Sequence, residues 1–168
     1  MRTICRLTTF GTPYRFKLDV WGNQYGDLAF GGPSLLISEF FKEVYHQNRL
    51  TGLNGFEPAL MLKCQSRLRL KETPPNYLHV ELHRGFTSID EAGSEVVWED
   101  PIVCSYCLLG YKLKRRRRII IDESTWNGED IFYARGLPGI ILVSSRFKEV
   151  CEQHQIKNAI FVPSQHRR

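Results

Sequence analysis

The apolar pattern of this 168-residue chain predicts an α+β fold: a mixed, mainly antiparallel sheet with two strand–helix–strand units that form an internal near-repeat. Three observations predict it. A ten-residue stretch occurs twice, as Leu35-Leu36-Ile37-Ser38-Glu39-Phe40-Phe41-Lys42-Glu43-Val44 and as Ile141-Leu142-Val143-Ser144-Ser145-Arg146-Phe147-Lys148-Glu149-Val150, and five of the seven positions counted from each serine are identical. Between the copies, short stretches alternate apolar and polar with the two-residue period of strands. Hydrophobic residues make up 42% and charged residues 24%, ordinary usage for a chain with a packed core. At this length one domain accounts for residues 1–168, with repeat-like units at about 33–57 and 139–163.

In chain order, Tyr14-Arg15-Phe16-Lys17-Leu18-Asp19-Val20 alternates and reads as a strand. Each copy of the repeat follows a Gly/Pro pair, Gly32-Pro33 or Pro138-Gly139. Its bulky aliphatics read as a buried strand, and its serine stands where a helix starts, with a hydroxyl that can cap free amides. Phe41, Val44 and Tyr45 in one copy, and Phe147, Val150 and Cys151 in the other, fall at i, i+3 and i+4, one apolar helix face. The helices run to about Leu50 and Ile156, with Gly52 and Asn158 as left-handed stops and an extended stretch after each, 159–162 in the second copy. Residues 59–70 read as extended. Thr73-Pro74-Pro75-Asn76 is a turn, and from Tyr77 to His83 the apolar Leu78, Val80 and Leu82 alternate with polar neighbours. Ile119-Ile120-Ile121 is β-branched and reads as a strand, and Asn127-Gly128 signals a turn.

Two local clusters could carry chemistry. Cys104-Ser105-Tyr106-Cys107 is a CxxC turn, which lets two thiolates meet one zinc ion. Cys104 and Cys107 supply two of the four ligands a structural zinc needs, and a metal-free turn is the alternative. His79 and His83 lie about 13 Å apart by strand rise, so at most one of them joins the pair. The second cluster is Lys114-Arg115-Arg116-Arg117-Arg118, which suits nucleic-acid phosphates or an acidic protein patch, or forms a solvated edge strand. No aromatic residue interrupts the run, so it offers no stacking platform for single strands.

Several function classes find no support. The sequence has no nucleophile elbow, metalloprotease His-Glu-x-x-His, phosphate loop or dinucleotide fingerprint, so an enzyme is not expected. No apolar run approaches the ~18 residues of a membrane helix, and no secretory h-region follows Met1. The five cysteines are irregularly spaced, which fits a reduced, cytoplasmic setting. Net charge is +5 with a pI of about 9.0, a balance that steers acidic partners inward.

The ordered set of motifs resembles the bacterial double-CXXCG motif proteins, grouped with the immunity proteins of polymorphic and contact-dependent toxin systems. The resemblance runs over about 21–163. It is carried by Gly26-Asp27-Leu28 before Leu35-Leu36-Ile37-Ser38, by Leu50-Thr51-Gly52-Leu53-Asn54-Gly55, and by Pro74-Pro75 with Leu78-His79-Val80-Glu81-Leu82. The Cys104–Cys107 turn, Asp130-Ile131-Phe132 and the block from Ile140 to Phe147 complete it. This chain has one CxxC where the family name implies two, and Gly110 stands away from Cys107. The resemblance implies a cytoplasmic, bacterial immunity-type protein that binds a cognate toxin domain and neutralises it by stoichiometric occlusion. Residue type and local clustering nominate Tyr106, Tyr111, Arg115, Arg116, Arg117, Arg118 and Trp126 as partner-binding residues, since Tyr, Trp and Arg anchor interfaces. The alternative is a small nucleic-acid-binding protein using the basic run beside the CxxC turn.

Overall fold

The computed structural model describes residues 5–10, 13–31, 34–83, 86–98, 113–137 and 139–164. Strands β1 (Cys5–Phe10) and β2 (Arg15–Val20) pair antiparallel, Cys5 opposite Val20 and Phe10 opposite Arg15. β3 (Leu28–Gly31) and β4 (Ser34–Ser38) form a second antiparallel pair, Leu28 opposite Ile37, and β4 leads directly into α1 (Glu39–Gln47). β5 (Leu53–Ser66) is the longest strand among the described residues, and β6 (Tyr77–Leu82) runs antiparallel to its first half. These six strands close into a barrel of order β1-β2-β5-β6-β4-β3. β2 with β5 and β1 with β3 are parallel and the other pairs antiparallel, so the sheet is mixed and mostly antiparallel.

The later chain contributes α2 (Glu91–Ser94), β7 (Val97–Trp98), β8 (Leu113–Arg115), a 3-10 turn at Glu123–Thr125, β9 (Ile131–Tyr133), β10 (Ile141–Val143) and α3 (Ser145–Gln153). β7 pairs with β8 and β9 with β10, both antiparallel.

Strand alternation decides what fills and what covers the barrel. Phe16, Leu18, Val20, Ala29, Leu36 and Tyr77 point inward and fill it. Leu35, Ile37, Leu78, Val80 and Leu82 point outward and meet Phe41, Val44, Phe147 and Val150, so both helices lie on the wall made by β4, β6 and the start of β5. The alternation expected for β6 is present, but most of its second face is buried too: Leu78 and Val80 lie under the helices and Tyr77 and His79 on the barrel side are covered, leaving Glu81 exposed. A third cluster, Ile89, Ile119, Phe132, Ala134 and Leu137, holds the later chain together.

The two helices begin and end alike. Ser38 and Ser144 are the N-caps, with ψ of 157° and 161°, and their hydroxyls accept from the amides of Phe41 at 3.1 Å and Phe147 at 3.0 Å. The left-handed stops fall earlier than expected, on Arg49 (φ 50°) and Gln155 (φ 52°). Leu50 N–H returns to the Tyr45 carbonyl and Ile156 N–H to that of Cys151, the Schellman pattern with its buried apolar contact. Gly52 and Asn158 also have positive φ, but they lie beyond the caps, where the chain turns towards the other unit.

Two buried aspartates sit at those turns. Asp27 accepts from its own unit's Ser38 hydroxyl at 2.7 Å and from the Lys157 amide, just past the other helix, at 2.8 Å. Asp130 accepts from the Ser144 hydroxyl at 2.8 Å and from the Thr51 amide at 3.0 Å. The backbone bonds match as well: Asp27 and Leu28 donate to the Lys157 carbonyl, and Asp130 and Ile131 donate to that of Thr51. The exit of each helix is thus bonded to the aspartate that braces the other helix's cap. Phe41 and Phe147 meet edge-on between them, with ring centroids 5.9 Å apart.

Two expected strands do not form. Ile119-Ile120-Ile121 makes a single bridge, Ile121 to Ile89, because its remaining backbone groups are taken elsewhere. Ile119 N–H donates to the Ser164 carbonyl, Ile120 N–H donates to the Ser94 hydroxyl oxygen, and the Ile120 carbonyl accepts from Asp90 N–H. Residues 159–162 form no ladder either; Ala159 and Phe161 pack on the helical core instead.

Candidate interaction surface

The basic run is partly committed to structure. Asp90 caps α2 by accepting Gly93 N–H, and the carbonyls at the far end of this one-turn helix need donors. Arg118 Nε gives one to Gly93 at 2.8 Å, and Arg117 N–H gives one to Ser94 at 3.2 Å. The Arg117 guanidinium also pairs with Glu95 at 3.1 Å. Arg116 is half-buried, while Lys114 and Arg115 are exposed on β8 and its neighbour strand is β7. The run is therefore an edge that braces α2, with Lys114 and Arg115 as its outward charges.

Trp126 is held at a different place. Its indole N–H donates to the Glu129 carbonyl at 3.1 Å, and its ring is 42% exposed. Glu129 is 7% exposed and meets His83 Nδ1 through Oε1, while Oε2 has no hydrogen-bond partner among the described residues. His79 does not join this group. It lies inside the barrel, stacked on Tyr14 with ring centroids 3.4 Å apart, and burial lowers its pKa against the pull of Glu81 and Glu57. Tyr106, Tyr111, Cys104 and Cys107 lie outside the described residues. Among the described residues, no group of three His, Cys, Asp or Glu side chains could hold a metal ion. Burial pushes the Cys151 thiol up to about 12, and Cys64 is raised by burial beside Tyr25.

The surface that residue-type reasoning missed is the barrel wall away from the helices. Because Phe16, Leu18 and Val20 turn inward, Arg15, Lys17 and Asp19 turn outward. In the parallel register Arg15 lies beside Leu60, Lys17 beside Lys63 and Asp19 beside Gln65. A bulge at this point leaves Leu62 as the extra residue of β5. Leu60 is 55% and Leu62 51% exposed, in the stretch that reads as extended. Past β5, Arg67, Arg69 and Lys71 are exposed, Leu68 is partly so, and Leu70 packs against the barrel interior. The signal in the sequence was the alternation of basic residues from Lys63 to Lys71, readable only once the inward face is known.

Among the described residues, no helix is long and apolar enough to cross a membrane. No family model matches the chain, and no curated protein matches it.

Proposed function

We propose that this chain is an immunity-type protein of the cytoplasm, similar to the double-CXXCG motif proteins, that binds a cognate toxin domain and neutralises it by stoichiometric occlusion. The observation that carries the reading is the uncovered β2–β5 wall, where Leu60 and Leu62 stand exposed on a strand ladder rather than on a loop. A surface built on paired strands is formed before the partner arrives, so little ordering entropy opposes binding. A specific complex of this kind buries roughly 1,200–2,000 Å² in total, about half of it on each partner. Arg115 on β8 and Trp126 beside Glu129 are further exposed candidates, each at its own place.

The near-repeat belongs to the same reading. Matched caps, matched Schellman exits and the crossed aspartates support two equivalent hairpin–helix units, β3–β4–α1 and β9–β10–α3, around an approximate two-fold. Interlocked in this way, they form a rigid base for the wall behind them.

The test is capture of the tagged chain from its native lysate after nuclease treatment at moderate salt. The expected result is one large partner, bound one-to-one through a C-terminal domain whose toxicity, when expressed alone, is relieved by this chain. Recovery only of nucleoprotein that disappears with nuclease would reject the reading in favour of nucleic-acid binding through Lys114 and Arg115.

A further inference from the structure

We infer that the β2–β5 wall is the docking surface for an acidic protein partner whose apolar side chains seat on Leu60 and Leu62. The inference rests on the protein-binding reading above and names the surface and the chemistry of what it meets. The charge on this wall and on the chain leaving it is one-sided. Arg15, Lys17, Lys63, Arg67, Arg69 and Lys71 are all exposed, with Asp19 half-buried among them. Glu57, exposed earlier on β5, faces His79, and Glu72, which follows the run, is held by Lys157 at 3.0 Å. A wall of this kind attracts a carboxylate-bearing surface during encounter and repels a basic one.

The leucines decide between the two anionic classes of macromolecule. A single-stranded nucleic acid on a barrel wall needs aromatic faces on which bases stack. This wall offers Leu60, Leu62 and the partly exposed Leu68 instead. Two adjacent leucines inside a basic rim have the anatomy of a protein interface: an apolar centre, charged edges, and arginine among the rim residues. The bulge supports this too. By inserting Leu62 beside Lys63 it breaks the strict alternation and places an apolar and a cationic side chain next to each other on one face. The basic pI of the chain is then a property of the interface, and the partner's contacted patch carries the opposite sign.

Two paired variants of the full chain test the inference, Leu60→Ser with Leu62→Ser and Arg67→Glu with Arg69→Glu; all four side chains are exposed, and circular dichroism checks that the fold is kept. The probes are a labelled peptide of alternating glutamate and leucine and a short labelled oligothymidylate, followed by fluorescence anisotropy and amide-shift mapping. The expected result is peptide-induced shifts in 15–19 and 60–71, with affinity reduced roughly tenfold or more in each variant. The oligothymidylate should bind more weakly and be indifferent to the leucine pair. Peptide shifts confined to other strands, or tighter binding of the oligothymidylate with no effect of the leucine variant, would overturn the inference. The same variants separate it from the broader reading. If both capture the large partner as well as the unmodified chain does, the immunity reading stands and this surface is wrong. If no form of the chain captures a partner, the immunity reading fails, and the peptide titration still decides what the wall binds.

Discussion

Asp130 is 3% exposed, and its carboxylate receives the Ser144 hydroxyl, the Thr51 amide and hydroxyl, and the Arg146 guanidinium at 3.0 Å. Arg146 also reaches the carbonyls of Asn48 and Arg49 at the end of the other helix. One side chain thus ties a cap, a helix exit and a cation together. Asp130→Asn keeps one acceptor, replaces the other with a donor facing donors, and removes the charge opposite Arg146; a loss of about 2–4 kcal/mol is expected in urea unfolding. The caps were legible in the sequence because a serine before an amphipathic run has a local meaning. The aspartates were not, because Asp27 and Lys157 are 130 residues apart and Asp130 and Thr51 are 79 apart. Cys151 gives a pH prediction. Its folded pKa, raised by burial from 9.0 to about 12, favours the protonated thiol in the native state. The stabilisation is therefore complete below about pH 9 and is lost as pH rises towards 12. Buried Tyr45, raised for the same reason, acts in the same direction. Cys151→Val should flatten the alkaline fall of the melting temperature without removing it. His79 works at the acid end. Its lowered pKa means that stability is held above 6.5 and falls as the pH drops below that value, and His79→Phe should reduce this fall.

At the scale of elements, the matched helices offer a controlled comparison. Ser38→Ala and Ser144→Ala each remove an N-cap acceptor and a donor to a buried aspartate. Each should cost roughly 2 kcal/mol, at the upper end of cap losses, and by similar amounts in the two helices. Gly52 and Gly128 test the turns. Both have positive φ, but a Cβ on Gly52 would overlap the Ile131 carbonyl, whereas one on Gly128 meets open space. Gly128→Ala should cost about 1 kcal/mol from backbone strain alone, and Gly52→Ala about 2–4 kcal/mol because strand β9 must also shift. The elements that sequence patterning placed well are those with a local signal of their own, alternation in β2 and β6 and an aliphatic run, a serine and an amphipathic stretch for β4 with α1 and β10 with α3. Ile119-Ile120-Ile121 misled because β-propensity describes a side chain's fit to a sheet surface, while Ser94 and Ser164 had already taken the backbone. The apolar side chains after Asn158 misled for a related reason: Ala159 and Phe161 pack without pairing, and Ile160 and Val162 are exposed.

For the whole molecule, closure of the barrel was the hidden property. It depends on parallel pairs, β2 with β5 and β1 with β3, and nothing local in the sequence announces a parallel pair. The surface proposed for docking was hidden with it, because the outward row of Leu60 and Leu62 is readable only once the inward row is known to be Met61 and Cys64. The crossed aspartates also make a prediction at this scale. Since each helix exit is bonded to the other unit, neither unit can melt alone without opening both junctions. Chemical unfolding followed by tyrosine and tryptophan fluorescence and by far-ultraviolet circular dichroism should give one coincident transition, and Ser38→Ala and Ser144→Ala should both move it as a whole. A separate early transition in either variant would mean that the units are energetically independent.

The crossing also sets a clock on synthesis. Asp27 emerges long before Lys157, and at 5–20 residues per second their 130-residue separation corresponds to roughly 7–26 s. During that interval the first helix and the β4 and β6 side chains under it are already made, yet the part of its apolar face that meets Phe147 and Val150 is uncovered. A nascent chain in this state offers chaperones and proteases a partly uncovered helix and an Asp27 carboxylate that lacks its Lys157 donor. A chain that ends before the second helix is therefore expected to be degraded faster than the full chain, which a pulse-chase of the two forms measures.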